Sequence, residues 1–140
     1  MVSFTVPGEP VGKGRPKFTR AGHAYTPEKT RYYEQVVQMA ARLKIQRPFD
    51  GAVRIEICAN YAIPKKTGKT ARLKMIERIM RPLKKPDADN IAKIILDALN
   101  GIAYHDDKQV VEMHVAKFYN DTPGVIVFVS PAETERWEKI

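Results

Sequence analysis

Five aspartates and one lysine lie close together in the second half of this chain. They are Asp87, Asp89, Lys93, Asp97, Asp106 and Asp107. Carboxylates gathered in one place repel one another, and a divalent cation is the usual means of keeping them ionised together. Oxygen ligands of this kind suit Mg²⁺, with Mn²⁺ as a possible substitute. The residue types and spacing therefore predict metal-assisted chemistry.

The spacing also predicts a helix that carries this chemistry. Asp89 or Asn90 is expected to cap a helix that runs to residue 100 and stops at Gly101. Asp89, Lys93 and Asp97 then lie on one face, while apolar residues cover most of the rest. A purely structural alternative is a cap at Asp89 with ion pairs along the helix. That alternative explains less once Asp87 and the Asp106-Asp107 pair are considered.

Charge is distributed unevenly along the 140 residues, which carry a net charge of +8. Residues 1–47 have nine Lys/Arg and three acids, residues 48–85 have ten and three, and residues 86–140 have five and ten. Basic surfaces attract the phosphates of nucleic acids and release counterions on binding. Solubility alone is the alternative explanation for the excess charge. We expect the acids to act on a phosphate-rich substrate held by the basic remainder.

Ten basic residues are the predicted contacts to a nucleic acid backbone. They are Lys13, Arg15, Lys17, Arg20, Lys65, Lys66, Lys69, Arg72, Lys84 and Lys85. Charge without elements placed in a groove recognises phosphate and shape rather than base sequence. Residues 65–85, here called the basic flap, contain nine Lys/Arg and one acid.

Hydrophobic periodicity predicts a single α/β (α+β) domain over residues 1–140, with a small mixed sheet of about four strands. Alternation predicts strands at residues 2–6, 53–61, 110–118 and 125–129. A long helix is expected from Thr26-Pro27 to about residue 47, and a short amphipathic helix from about residue 70 with Leu73, Ile76 and Met80 on its apolar side. The predicted order is β-α-β-α-α-β-β, followed by a terminal turn in residues 131–140, with an irregular loop at residues 12–23.

Composition argues against several other classes of protein. Cys58 is the only cysteine, so neither a disulfide nor a zinc cluster is expected within one chain. No leader or membrane-length apolar run is present, which favours a cytoplasmic protein without a membrane partner. Gly68-Lys69-Thr70 lacks the earlier glycine of a phosphate-binding loop, so no nucleotide cofactor is expected.

Three blocks together resemble the RusA family of Holliday junction resolvases. They are Lys-Pro-Asp87-Ala-Asp89-Asn90-x-x-Lys93, then Leu96-Asp97-Ala98-Leu99-Asn100-Gly101, then Asp106-Asp107-x-Gln109-Val110. Gly12-Lys13-Gly14-Arg15-Pro16 and Tyr25-Thr26-Pro27 are similar to its phage-type members. The resemblance implies a Mg²⁺-dependent homodimer that nicks four-way DNA junctions symmetrically.

The resemblance also implies roles for individual residues. Asp87, Asp89 and Asp107 would be the catalytic metal ligands, Lys93 the essential lysine, and Asp106 a supporting ligand. Two other functions stay open, a non-catalytic DNA-binding protein and a nuclease for flaps or other branches.

The lengths of the predicted helix and of the segment after it limit how this site could be assembled. The predicted helix is about 18 Å long, and the five residues after it reach at most about 17 Å. The Asp106-Asp107 pair could therefore complete either the site of its own chain or that of a partner subunit.

Overall fold

The computed structural model describes residues 1–133, which form a four-stranded mixed sheet, a two-stranded sheet and three helices. The strands are β1 (Val2–Pro7), β2 (Lys17–Phe18), β3 (Ala24–Tyr25), β4 (Val53–Ala62), β5 (Val110–Asn120) and β6 (Gly124–Pro131). The helices are α1 (Glu28–Arg42), α2 (Lys69–Ile76) and α3 (Ala88–Ala98). The predicted class and element order are confirmed, with one extra hairpin. The turn predicted for residues 131–140 lies mostly outside the described residues.

The sheet order is β1-β6-β4-β5, and β4 and β5 are parallel. Val53 lies opposite Val110 at one end of this pair, and Tyr61 lies opposite Tyr119 at the other. Parallel neighbours need a crossover connection, and here it contains α2 and α3. Helix α3 therefore begins near the end of β4 and returns to the start of β5.

The core lies between the sheet and the pair α1 and α3, which also pack against each other. Helix α1 buries Tyr33, Val37 and Ala41, and α3 buries Ile91, Ile94, Ile95 and Ala98. Each large apolar side chain removed from water contributes about 1.5–3 kcal/mol. These side chains recur at helical spacing in both helices, and those of α3 confirm its predicted apolar face.

Three helix boundaries differ from the prediction. Helix α1 ends at Arg42 rather than near residue 47, because the chain turns there and buries Ile45. Its N-cap is Pro27, one residue later than predicted. Helix α3 is capped by Asp87 rather than by Asp89 or Asn90, and Ala88 is its first residue. Gly101 follows the last turn with φ 79°, as a helix terminator does.

The amphipathic character predicted for the flap helix is wrong. Leu73, Ile76 and Met80 are exposed, and Met75 is the residue that α2 buries. Helix α2 has only eight residues and contacts β5, so one methionine is enough to anchor it. The guanidinium groups of Arg78 and Arg81 stack on the ring of Phe118 in β5 at 4.2 and 4.1 Å.

The segment predicted as an irregular loop contains the hairpin of β2 and β3. Lys17 pairs with Tyr25, and Phe18 pairs with Ala24. The turn between them is closed by a hydrogen bond from the Gly22 amide to the Thr19 carbonyl at 3.0 Å. Strands of two residues are too short to produce an alternating pattern in the sequence.

Candidate active site

Asp87 and Asp89 lie at the N-terminal end of α3, and both are exposed. Asp87 occupies the cap position, but its side chain makes no capping hydrogen bond. Its carboxylate is therefore not committed to the helix amides. The positive end of a helix dipole favours anions at this position. Two carboxylates two residues apart are thus presented to solvent at a helix end that stabilises their charge.

Tyr61 fixes the backbone immediately before these aspartates. Its hydroxyl donates to the Pro86 carbonyl at 2.8 Å. Burial, with smaller effects from the negative charges of Glu9 and Asp87, raises the pKa of Tyr61 to about 12. The hydroxyl is therefore protonated and able to donate at any physiological pH.

Glu9 is a carboxylate at this end of the molecule that sequence reasoning missed. It accepts a hydrogen bond from the Ala62 amide at 3.0 Å. Its charge and that of Asp87 both act on Tyr61, so the two acids flank the same tyrosine. Glu9 follows the turn after β1 and has no other acid near it in sequence, so nothing in the pattern distinguishes it.

The loop after β1 packs directly on the start of α3. The Lys13 amide donates to the Asn90 carbonyl at 3.0 Å. A Cβ added to Gly12 would lie 2.8 Å from Cβ of Pro86. Only glycine fits this contact without moving the residue that precedes Asp87. The same loop also reaches α1, where the Gly14 amide donates to the Thr30 hydroxyl at 3.1 Å.

The structure argues against the predicted phosphate contact by Lys13. Its ammonium group lies 2.7 Å from Glu34 Oε1 and 3.2 Å from Asp97 Oδ2. Burial alone would lower the pKa of Lys13, but the hydrogen bonds to Glu34 and Asp97 outweigh burial and raise it. Lys13 thus links the loop, α1 and α3, and its charge is already compensated by two carboxylates.

Lys93 lies one turn after Asp89 and is exposed. Within residues 1–133 it forms no ion pair with Asp89 or Asp97, and Asp97 pairs with Lys13 instead. The purely structural alternative required a cap at Asp89 and ion pairs through Lys93. Neither feature is found in this part of the chain. The ammonium group of Lys93 is therefore presented to solvent on the same side as the Asp89 carboxylate.

Asp106 and Asp107 lie at the other end of α3. Asp106 caps a 3-10 turn, Asp107–Gln109, and accepts from the Lys108 amide at 2.9 Å. That backbone hydrogen bond lowers the pKa of Asp106. In this structure Asp106 therefore caps the turn, and its role as a supporting metal ligand stays a prediction. Asp107 accepts from Asn100 Nδ2 at 3.4 Å, which places it beside the C-terminal end of the helix.

One chain does not bring the predicted metal ligands together. The eleven residues of α3 span about 16 Å, with Asp87 and Asp89 at one end and Asp107 at the other. Among the described residues, no group of three or more Asp, Glu, His or Cys side chains could hold a metal ion. Asp87 and Asp89 are therefore the two candidate oxygen ligands at this end of α3, and Asp107 of the same chain lies at the other end.

The other predicted DNA contacts form separate basic groups. Arg15, Lys17 and Arg20 are exposed on and beside the hairpin of β2 and β3, and Lys65, Lys66 and Lys69 are exposed at the start of the flap and of α2. Lys84 and Lys85 are exposed just before Asp87. Arg72 forms an ion pair with Asp121, which leaves less of its charge for phosphate. The basic residues that lie closest in sequence to Asp87 and Asp89 are Lys84, Lys85 and Lys93.

No helix in residues 1–133 combines the length and apolar character needed to cross a membrane.

Comparisons with known proteins identify relatives of this chain. The family profile described as Endodeoxyribonuclease RusA matches residues 7–130. The uncharacterized protein YqaN of Bacillus subtilis (strain 168) is 37% identical over 134 residues, which cover 91% of this chain and 94% of that protein. The family match includes the loop at Gly12, the whole flap, α3 and the turn at Asp107. It confirms the resemblance noted in the sequence: this chain belongs to the RusA family of endodeoxyribonucleases.

Proposed function

We propose that this protein is a Mg²⁺-dependent endonuclease that resolves Holliday junctions by nicking two strands symmetrically in DNA recombination and repair. The observation that carries the proposal is the pair of exposed carboxylates, Asp87 and Asp89, at the N-terminal end of α3. Basic residues adjoin them on both sides in sequence, and the chain belongs to a family of DNA endonucleases. A basic protein with such a site fits a phosphodiester substrate.

Each side chain at this end of α3 would have a distinct task. Asp87 and Asp89 would hold Mg²⁺, which supplies Lewis-acid activation of the phosphate and of a water molecule. Lys93 would face the phosphate from the same side of the helix and offset negative charge as it develops. Lys84 and Lys85 would bind adjacent phosphates and set the position of the strand. The Tyr61 to Pro86 hydrogen bond would keep both aspartates in place.

The third carboxylate is best supplied by a second copy of the chain. Asp107 is the remaining candidate from the family resemblance, and α3 separates it from Asp87 and Asp89 of its own chain. In a two-fold dimer with the two α3 helices antiparallel, the C-terminal end of one lies beside the N-terminal end of the other. The partner subunit's Asp107 would then complete each site. A two-fold dimer also matches the two-fold symmetry of a four-way junction.

One side of the chain is suited to this contact. Among residues 1–133, strand β5 is an edge strand that pairs with β4 alone. The flap covers its later part, where Arg81 Nε donates to the Lys117 carbonyl at 2.7 Å. Earlier in the strand, Val111 and Met113 remain exposed. At about 100° per residue, Asp89 and Leu96 project from the same side of α3, and Asp97, which pairs with Lys13, lies about 80° around the helix from Asp89.

Cleavage of synthetic substrates tests the proposed activity. The wild-type protein is expected to cut a four-way junction in Mg²⁺ or Mn²⁺ faster than it cuts a flap or a linear duplex. Asp89→Asn is expected to bind the junction and not cut it, since one metal ligand loses its charge. Unaltered cutting by Asp89→Asn would refute the site. Faster cutting of the flap would favour the alternative branch nuclease, and binding without any cutting would favour a DNA-binding protein.

A further inference from the structure

The basic flap presents an almost fully exposed leucine immediately before the candidate site. Leu83 is 97% exposed, more than any other large apolar residue among residues 1–133. Ile79 in the same segment is 66% exposed. Single exposed apolar residues are common on protein surfaces. Leu83 differs from such residues because hydrogen bonds fix the backbone on both sides of it and basic residues surround it in sequence.

The backbone on both sides of Leu83 is fixed to the sheet. Arg81 Nε donates to the Lys117 carbonyl at 2.7 Å, and Lys117 Nζ donates to the Lys84 carbonyl at 2.7 Å. The neighbouring Pro82 is buried. Arg81 also stacks on Phe118, which holds the segment from a second direction. The fold therefore keeps the Leu83 side chain in solvent although Pro82 beside it is buried.

The positive charge of the basic flap indicates which kind of partner it can bind. Its nine Lys/Arg residues and one acid would repel a second copy of the same segment. The same charge attracts phosphates, and Lys84 and Lys85 directly follow Leu83. Proteins that bend or open DNA place apolar side chains such as leucine between base steps while basic residues hold the backbone. DNA is thus the occupant that fits both the apolar tip and its basic surroundings.

The short distance in sequence between Leu83 and Asp87 places the leucine near the DNA strand that would be cleaved. Leu83 lies four positions before Asp87, so their Cα atoms lie at most about 14 Å apart. Strand nucleotides are spaced at about 3.4 Å, and Leu83 therefore lies within about four nucleotides of a phosphate bound at Asp87. A four-way junction has its least stably stacked bases at the branch point, where insertion needs the least unstacking.

We propose that Leu83 is a wedge that inserts between bases at the branch point and so selects branched DNA. This inference rests on the proposed function, because it requires that the flap meets a junction. Lys84 and Lys85 bind the flanking phosphates, and Leu83 separates the bases. The flap would then contribute recognition of the branch as well as affinity for DNA.

Fluorescence of 2-aminopurine placed at the branch point tests the wedge. The probe brightens when a base loses its stacking, and binding in EDTA avoids cleavage. Wild-type protein is expected to brighten the junction probe and not the same base inside a duplex. With Leu83→Ala, the fluorescence increase is expected to fall by more than half. The affinity of this variant for the junction is expected to be about threefold to tenfold lower than that of the wild type. The matched control is Leu43→Ala, whose leucine is 84% exposed and lies outside the flap.

Any of three results would overturn the wedge. The 2-aminopurine fluorescence could fail to increase when wild-type protein binds the junction, or it could increase equally with Leu83→Ala and Leu43→Ala. Light scattering could also show that Leu83→Ala has a different oligomeric state from the wild type. The last result would mean that Leu83 contacts another protein chain. Because this readout needs no cleavage, it is independent of the metal-dependent activity. A wild-type protein that brightens the probe and never cuts would refute the proposed function and leave the wedge intact.

Discussion

Replacing Lys13 with methionine distinguishes a structural lysine from a DNA-binding one. Lys13→Met keeps most of the length of the side chain and removes the charge that compensates Glu34 and Asp97. Those carboxylates are only 19% and 35% exposed, so solvent screens them incompletely. Exposed pairs contribute up to about 1 kcal/mol, and breaking a buried pair costs about 3–5 kcal/mol. A loss of about 2 kcal/mol in the free energy of unfolding is expected for this intermediate case.

Thermal unfolding followed by circular dichroism measures this loss. For a chain of 140 residues, about 2 kcal/mol corresponds to a fall in Tm of about 6 °C. The control is Lys17→Met on the exposed hairpin, which should leave Tm unchanged and weaken junction binding. Adding Glu34→Gln to Lys13→Met should recover part of the loss, because one unpaired carboxylate is then neutral.

The pH dependence of the Tm difference gives a second check. Since folding raises the pKa of Lys13, the stabilisation is fully present below the unfolded pKa near 10.5 and is lost as pH rises through the folded value. The difference between wild type and Lys13→Met should therefore hold constant from pH 6 to about pH 9 and shrink above about pH 10.5. An unchanged Tm, together with weaker junction binding like that of Lys17→Met, would refute the structural role.

Further predictions concern the support of the carboxylates and the metal. Gly12→Ala should lower the free energy of unfolding by about 1–3 kcal/mol and slow cleavage, because the added Cβ would lie 2.8 Å from Cβ of Pro86. The control is Gly68→Ala, whose added Cβ would have nothing within 4 Å. Equal urea midpoints for the two variants would contradict this expectation. Tyr61→Phe removes the hydrogen bond to the Pro86 carbonyl and should lower the free energy of unfolding by about 1 kcal/mol in urea. A free energy of unfolding equal to that of the wild type would show that the bond does not stabilise the fold. EDTA should abolish cleavage and preserve junction binding in a gel-shift assay; cleavage that persists would exclude a metal requirement.

Strong periodicity made the central elements of the fold predictable. Alternation along β4 and helical spacing in α1 and α3 identified the sheet and the helices that cover it. The same patterns failed where tertiary contacts decide the structure. Helix α2 buries Met75 because it lies against β5, and no local pattern encodes that neighbour. The two-residue strands β2 and β3 are too short to have a period.

The candidate site was predictable in composition and less so in geometry. The sequence indicated which acids are candidate metal ligands but placed the helix cap at Asp89 or Asn90 rather than Asp87. Lys13 looked like a phosphate contact because its partners, Glu34 and Asp97, are distant in sequence. The separation of Asp107 from Asp87 follows from the length of α3, and a single chain contains no information on where a partner subunit lies.

Mixing Asp89→Asn and Asp107→Asn subunits tests the shared site most directly. If the partner subunit's Asp107 completes each site, every mixed dimer keeps one site with both aspartates intact. Equal mixing makes half of the dimers mixed, so nicking of a four-way junction should recover to about a quarter of the wild-type level. Each variant alone should remain inactive. A mixture with no more activity than its separate components would contradict a site built from two chains.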